Sequence, residues 1–432
     1  MTGKTQVIVV GAGPAGIAAA ITIARAGKEV ILIERGSFAG SKNMFGGAIY
    51  TQPTKEIFPN FEAEAPLERL ITSHKYVLRN NSQELSIDYF NPLKSNAYTV
   101  LRGKFDRYMQ QEAQKAGVIF VNETVVEDLI TDGKRVIGVK TELEEYFSDI
   151  VILADGVNSL LAKKCHLRSK IDKKDVVLSV KEVIKLSKEK IDERFNLTGF
   201  EGCCYEIFGE PLTAHFGAGF LYTNLDTVSV GVGVSLDDLV NLRKKPFEPL
   251  EEIKNHPRFK NLLKDGEVIE YSAHLIPEGG YKKVPKLYSD GVMVTGDAAM
   301  LVNSIHFEGT NMALISGKLA GETAIEALNK GDFSSKTLSQ YKKKLEKSFI
   351  LKDLRTYKNV VPTIIKHKKS FLDYYITKVL EFFNIFTTVD SVPKRKKYQN
   401  YIKSFLTDRC PCKLFGEMFD IIKMVIGVIC GR

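Results

Sequence analysis

The 432-residue chain lacks several features that would point elsewhere. After Gly11-Ala12-Gly13-Pro14-Ala15-Gly16 there is no second G-x-G-x-x-G behind a strand. Gly231 and Gly233 stand in the run Val228-Ser229-Val230-Gly231-Val232-Gly233-Val234, with no third glycine and no helix following. That argues against a separate nicotinamide domain. No Cys-x-x-Cys accompanies the first helical segment, which argues against a disulfide reductase. Cysteine is scarce: Cys165, Cys203, Cys204, Cys410, Cys412 and Cys430. A chain of this length needs no disulfide framework, so reduced thiols in a cytosol are expected.

A long uninterrupted apolar run is missing too. Residues 7–27, after Lys4, look at first like a signal peptide or a membrane span. Gly11, Gly13, Pro14 and Gly16 break such a helix and suit a strand, a turn and a helix instead. No other stretch is apolar enough to span a bilayer. The expected location is cytoplasmic, with peripheral membrane contact left open. No repeat or disordered tract is evident. Hydrophobic residues are 44% and charged residues 26%, as in an ordinary globular protein of two or three domains. The net charge of +9 suits an acidic protein partner, anionic lipid or simply a lysine-rich surface. Nucleic acid is not expected, because no recognised binding fold accompanies the charge.

What is present begins with Val7-Ile8-Val9-Val10, a β-branched run suited to a parallel strand buried on both faces. The glycine turn follows. Then Ile17, Ala20, Ile21 and Ala24 recur at helical spacing, Gly27 ends the helix, and a second apolar strand runs to Glu34. This is a dinucleotide fingerprint in its required context. Gly11 permits the tight turn, Gly13 lets backbone approach a pyrophosphate, and Gly16 lets helix and strand pack closely. Pro14 and Ala15 open a helix whose free N–H groups and positive dipole end face the phosphates. Glu34 lies 23 positions after Gly11, where a carboxylate meets ribose hydroxyls. It would repel a 2′-phosphate, which favours FAD or NAD over NADP.

Two later segments favour FAD. Ile150-Val151-Ile152-Leu153-Ala154-Asp155-Gly156 is a strand ending in Asp-Gly, with Ser159 as the expected helix cap. Val292-Met293-Val294-Thr295-Gly296-Asp297 is a strand ending in Gly-Asp. These segments resemble the Asp-Gly and Gly-Asp motifs of the para-hydroxybenzoate hydroxylase-like FAD superfamily. The resemblance assigns the ribityl chain to Asp297. Gly309-Thr310-Asn311-Met312 opens a helix running to about Leu328. Its free N–H groups, aimed at the flavin pyrimidine edge, would stabilise negative charge on reduced flavin.

A narrower resemblance covers nearly the whole chain. Gly40-Ser41-Lys42-Asn43-Met44-Phe45-Gly46-Gly47, Tyr98-Thr99-Val100-Leu101-Arg102-Gly103-Lys104-Phe105-Asp106 and Glu270-Tyr271-Ser272-Ala273-His274-Leu275-Ile276-Pro277-Glu278-Gly279-Gly280 resemble segments of the FixC and electron-transfer-flavoprotein:quinone oxidoreductase family. The resemblance implies bound FAD and an electron-transfer flavoprotein of two subunits as partner. A small ferredoxin-like protein and a quinone complete the route. It further implies cofactor contacts at Arg35, Lys42, Asn43, Gly46, Gly47, Arg102 and Val126, with Arg102 as a charged fork on the pyrophosphate. The chain departs from the quinone oxidoreductases at its C-terminal end. Cys410, Cys412 and Cys430 do not match the spacing of ferredoxin ligands, so no cluster and no metal are expected in this chain. Met300 stands where the family often has glycine.

His306 and Glu308 precede the helix expected to face the flavin, and His274 lies in the most distinctive motif. Each reads either as a proton-handling group or as a residue satisfied within its own loop. The fold class is α/β, a Rossmann-type FAD-binding domain (1–75, 95–170 and 285–330) interleaved with a β-rich second domain (76–94 and 171–284). A helical C-terminal region (331–432) follows. There Phe371, Leu372, Ile376, Leu380, Phe382, Phe383 and Phe386 precede Lys394-Arg395-Lys396-Lys397. This suits anionic membrane, an acidic redox partner, or a buried helix with a solvated charge run. The competing activities are a geranylgeranyl-reductase-like reduction of polyprenyl double bonds and an aromatic hydroxylation.

Overall fold

A computed structural model describes residues 4–42, 46–213 and 215–431. The chain divides into two compact units. One holds Met1–Ile71, Lys94–Val177 and Ser272–Arg355; the other holds Thr72–Leu93, Leu178–Tyr271 and Thr356–Arg432. The helical end therefore does not stand apart. Residues 331–355 go with the first unit and the remainder with the second.

The first unit is built on a mainly parallel sheet. Its centre is β1 (Lys4–Val10), followed by α1 (Pro14–Arg25) and β2 (Val30–Ile33). β1 pairs in parallel with β2 (Val7↔Val30) and with β3 (Glu145–Leu153; Val7↔Ile150). β3 in turn pairs in parallel with β4 (Val292–Val294). Val7, Ile8, Val9, Ile150, Val151, Ile152, Val292 and Met293 are all fully buried. Unbroken apolar strands of this kind arise where both faces of a parallel sheet are covered. The covering helices include α1 and α2 (Thr310–Lys330). They pack so closely that a methyl group on Gly317 would lie 2.0 Å from the Ala15 carbonyl oxygen. Proline at the start of α1 costs no hydrogen bond, because the first helical N–H groups have no partner within the helix.

The second unit has its own apolar core, centred on the strand Thr227–Ser235, where Val228, Val230, Val232 and Val234 are fully buried. Asn80-Asn81-Ser82 forms the expected hairpin turn, with Asn80 Oδ1 accepting from the backbone N–H groups of Ser82 and Gln83. The helix Tyr375–Thr387 divides its apolar residues by face. Leu372 just before it, Ile376 and Leu380 are buried, while Phe382, Phe383 and Phe386 are exposed. The basic run after it is only partly solvated. Lys394 Nζ donates to the carbonyls of Phe386 (3.0 Å) and Thr388 (2.6 Å), capping that helix end, and Lys397 pairs with Asp390 at 2.6 Å. No helix among the described residues is long and apolar enough to cross a membrane.

Candidate functional site

The C-terminal ends of β1, β2, β3 and β4 bring the glycine turn, Glu34, Asp155 and Asp297 to one edge of the first unit's sheet. Gly11 has a left-handed φ of 98°, and a methyl group there would meet the Ala154 carbonyl oxygen at 2.4 Å. A methyl on Gly16 would lie 1.8 Å from the Gly11 carbonyl oxygen. These two glycines are required by packing alone. Gly13 is different, because nothing lies within 4 Å of where its methyl would stand. Open space over a helix N-terminus is what an approaching phosphate needs.

Glu34 is buried and bonds the turn directly. Its Oε2 accepts from Ala12 N–H and its Oε1 from Gly36 N–H, both at 2.8 Å. Each oxygen keeps a lone pair for a ribose hydroxyl. The segment leading to Val126 runs past this point, through Thr124 N–H to the Glu34 carbonyl at 3.0 Å. Val126 itself pairs with Thr141 in a hairpin. Arg35 and Lys42 are exposed. Gly47 is buried, its carbonyl accepting from Val100 N–H at 2.7 Å. Asn43 lies outside the described residues.

Arg102 opens the helix Arg102–Lys115. Its Nε and Nη2 bond the two oxygens of Asp106 at 2.6 and 2.7 Å, while Nη1 lies 3.5 Å from where a methyl on Gly46 would stand. Asp106 is fully buried, and burial raises its carboxyl against the pull of Arg102. Gly40 makes room, since a methyl there would lie 2.6 Å from Asp106 Oδ2. Asp106 thus holds the Arg102 charge in a fixed position. The positive field of Arg102 reaches Asp297 and His274.

Asp155 and Asp297 both have their carboxyls pushed up to about 6 by burial; the Leu161 N–H and then Arg168 work against the shift at Asp155, and Arg102 does so at Asp297. Asp155 Oδ2 accepts from Leu161 N–H at 3.4 Å, while its Oδ1 has no partner. Gly156 also faces open space. Ser159 does not act as the expected side-chain cap. It sits at the helix start with a left-handed φ of 41°, fully buried, and its hydroxyl bonds no helix N–H. Gly296 packs on the first turn of α1, where a methyl would lie 2.7 Å from Ala15 Cβ. Met300 adopts φ 58°, the conformation that explains why glycine suits this position.

The loop before α2 is closed by Asn303 and Glu308, which exchange backbone hydrogen bonds at 2.9 and 3.0 Å. Glu308 keeps Oε2 without a partner, and burial raises its carboxyl although His306 opposes this. His306 is exposed, and its carbonyl accepts from the Tyr50 hydroxyl at 3.5 Å. Gly309 faces open space, and Thr310 begins the helix. Buried Asn311 has Oδ1 unpartnered, whereas the Met312 side chain is fully buried in the core, leaving only its backbone for a ligand. Burial, with Arg102 and Arg35, depresses His274 to about 4, so its imidazole is neutral at neutral pH; its Nε2 has no partner.

This edge fits an extended flavin dinucleotide. Orphaned acceptors at Asp155 and Asn311 suit sugar hydroxyls, and two helix N-termini suit anionic groups. Two residues that matter here carried only weak signals in the sequence. Asp106 stands four positions after Arg102, the spacing of a helical ion pair. Glu278 follows the strand Glu267–Pro277, and nothing in its spacing announces a buried carboxyl.

Comparison with known proteins agrees with this geometry. Residues 6–161 match the family "FAD dependent oxidoreductase", residues 177–276 match "ETF-QO, ubiquinone-binding", and residues 361–426 match "ETF-QO/FixC family C-terminal domain". The FixC protein of Azorhizobium caulinodans is 39% identical, over 96% of this chain and 98% of its own. That of Azotobacter vinelandii is 40% identical, over 98% and 100%. The chain belongs to the FixC and electron-transfer-flavoprotein:quinone oxidoreductase family. Its cofactor is FAD, and it is an FAD-dependent oxidoreductase of electron transfer. The Escherichia coli relative named "Probable electron transfer flavoprotein-quinone oxidoreductase YdiS" is 37% identical, over 91% of this chain and 92% of its own. Among solved structures, a geranylgeranyl bacteriochlorophyll reductase-like protein from Thermoplasma acidophilum shares the fold. Its TM-score is 0.73 at 20% identity, covering 96% of this chain and 99% of that one.

Proposed function

We propose that the protein passes electrons from an electron-transfer flavoprotein to a quinone or a ferredoxin-type acceptor, with a small ferredoxin-like protein as a further partner. The observation that carries this reading is the match of residues 177–276 to a ubiquinone-binding family, in a chain that aligns end to end with FixC relatives. Bound FAD supplies the electron-carrying chemistry, and the protein supplies its position and potential.

In this reading the N–H groups at the start of α1 hold the diphosphate, Glu34 the ribose and Asp297 the ribityl chain. The start of α2 stabilises negative charge on the pyrimidine edge. Neutral His274 adds no charge of its own, so Arg102 sets the local field. Peripheral contact with anionic lipid belongs to the same proposal. Exposed Phe382, Phe383 and Phe386 precede the exposed charges of Arg395 and Lys396, suited to a bilayer surface where a quinone is dissolved. The test is anaerobic mixing of the FAD-loaded protein with reduced electron-transfer flavoprotein. Flavin reduction faster than with NADH, followed by quinol formation, is expected. Reduction by NADH alone would contradict the reading.

A further inference from the structure

Ser316 lies about two turns into α2, away from the residues that would touch the cofactor, yet its hydroxyl is fully engaged. The oxygen accepts from the Thr295 hydroxyl at 3.0 Å and from Gly296 N–H at 3.2 Å. Its own proton goes to the Ala313 carbonyl at 3.1 Å. A hydroxyl offers one donor and two acceptor positions, and here all three are used. Ser316 and Thr295 are fully buried and Gly296 is buried with them, so these bonds are closed to solvent.

The three bonds join pieces of the first unit that are far apart in sequence. Thr295 and Gly296 lead directly into Asp297. Thr295 N–H also donates to the carbonyl of Leu153, the last residue of β3, at 2.9 Å. Ala313 belongs to the first turn of α2, where its N–H bonds the Gly309 carbonyl at 2.9 Å. The residue after Ser316 brings in a further piece. A methyl on Gly317 would lie 2.0 Å from the Ala15 carbonyl oxygen, and one on Gly296 would lie 2.7 Å from Ala15 Cβ. Ser316 and Gly317 thus tie the start of α2 to the Asp297 turn and to the first turn of α1. In packing this close, one element does not shift without moving the others.

We propose that Ser316 is a positioning residue that raises the reduction potential of the bound flavin. It does so by holding the N–H groups at the start of α2 in fixed register with the Asp297 turn. This rests on the reading given above, in which Asp297 holds the ribityl chain and the start of α2 meets the pyrimidine edge. Donors already in place stabilise developing negative charge fully, whereas donors that must first be ordered lose part of that gain to reorganisation. With alanine at 316, the Gly296 N–H and the Thr295 hydroxyl lose their acceptor, and α2 loses its hydrogen-bonded tie to that turn. Oxidised flavin carries no charge at the pyrimidine edge and depends less on this register. Binding of the reduced form is therefore weakened more than binding of the oxidised form, and the potential falls.

The test uses the full chain with Ser316→Ala and, as a milder variant, Thr295→Val, which removes one of the three bonds and keeps the side-chain shape. Three quantities are read: the midpoint potential of bound FAD by anaerobic dye titration, the affinity for oxidised FAD, and the melting temperature of flavin-stripped protein. Ser316→Ala should weaken binding of reduced FAD about tenfold relative to oxidised FAD, which lowers the two-electron midpoint by about 30 mV. Thr295→Val should shift it in the same direction by less, and it decides the matter alone should Ser316→Ala not fold. A lowered melting temperature with the wild-type potential would mean that the junction serves packing only, and would overturn this proposal. Asp297→Ala, titrated alongside, separates the two claims. Wild-type FAD affinity in Asp297→Ala would overturn the reading of the site, and this proposal with it. Weakened affinity in Asp297→Ala, with unchanged potentials in Ser316→Ala and Thr295→Val, would overturn this proposal alone.

Discussion

Asp106 shows how much one side chain can decide. Fully buried, it holds Arg102 by two short hydrogen bonds, and Arg102 in turn sets the charge felt by Asp297 and His274. Removing one partner of a buried ion pair leaves the other uncompensated, at a cost of about 3–5 kcal/mol. Asp106→Ala should lower stability by that amount in urea unfolding, and it should weaken FAD binding, because Arg102 loses its fixed position. The acids at the site give a pH signature of opposite sign to the usual one. Glu278, near 7, and Asp155 and Asp297, near 6, hold protons more tightly folded than unfolded, where carboxyls titrate near 4. The stability they contribute is present below that range and is lost as pH rises through about 6 to 7. His274 works the other way: its contribution is present above its unfolded value of about 6.5 and is lost as pH falls toward 4. Glu278→Gln should therefore gain stability relative to the wild type on going from about pH 5 to about pH 8. Urea unfolding at the two pH values checks this.

At the scale of elements, the first strand, turn and helix separate packing from binding. Gly16→Ala places a methyl 1.8 Å from a carbonyl oxygen and should destabilise the chain by about 1–3 kcal/mol or more. Gly13→Ala meets open space at a φ of −74° that alanine adopts freely. Its stability without FAD should stay within about 0.5 kcal/mol of the wild type, while FAD affinity falls. Thermal melts and flavin titration distinguish the two. This unit was legible in the sequence because every local signal agreed: β-branched strands, glycine turn, small-residue helix and acidic strand end. Other features were hidden for physical reasons. The anchoring of Arg102 by Asp106 is a tertiary outcome of burial, which the four-residue spacing alone does not reveal. The hydroxyl of Ser159 makes no cap because the chain enters that helix with a left-handed φ of 41°. The basic run at 394–397 read as uniform charge, yet Lys394 is spent on the carbonyls of the preceding helix. The burial of Glu278 depends on contacts that sequence neighbours do not reveal.

For the whole molecule, relatives aligned over nearly their full length tie the FAD-binding pieces and the residues between them to one electron-transfer task. The exposed aromatics at Phe382, Phe383 and Phe386, on a chain of net charge +9, make the bilayer surface a testable partner. The protein should co-sediment with vesicles rich in anionic lipid and less with neutral ones, the difference shrinking as salt is raised. Replacing the three phenylalanines with serine should reduce binding at every salt concentration. Equal sedimentation of the variant and the wild type would remove this surface from the account. The spatial claim underneath everything is that the first glycine turn, Glu34, Asp155 and Asp297 grip the same FAD. Titration of flavin-stripped protein with FAD tests it most directly. The wild type should take up one FAD per chain, and Glu34→Ala and Asp297→Ala should each bind it markedly more weakly. A wild type that takes up no FAD, or an Asp297→Ala variant that binds it as tightly as the wild type, would contradict the account.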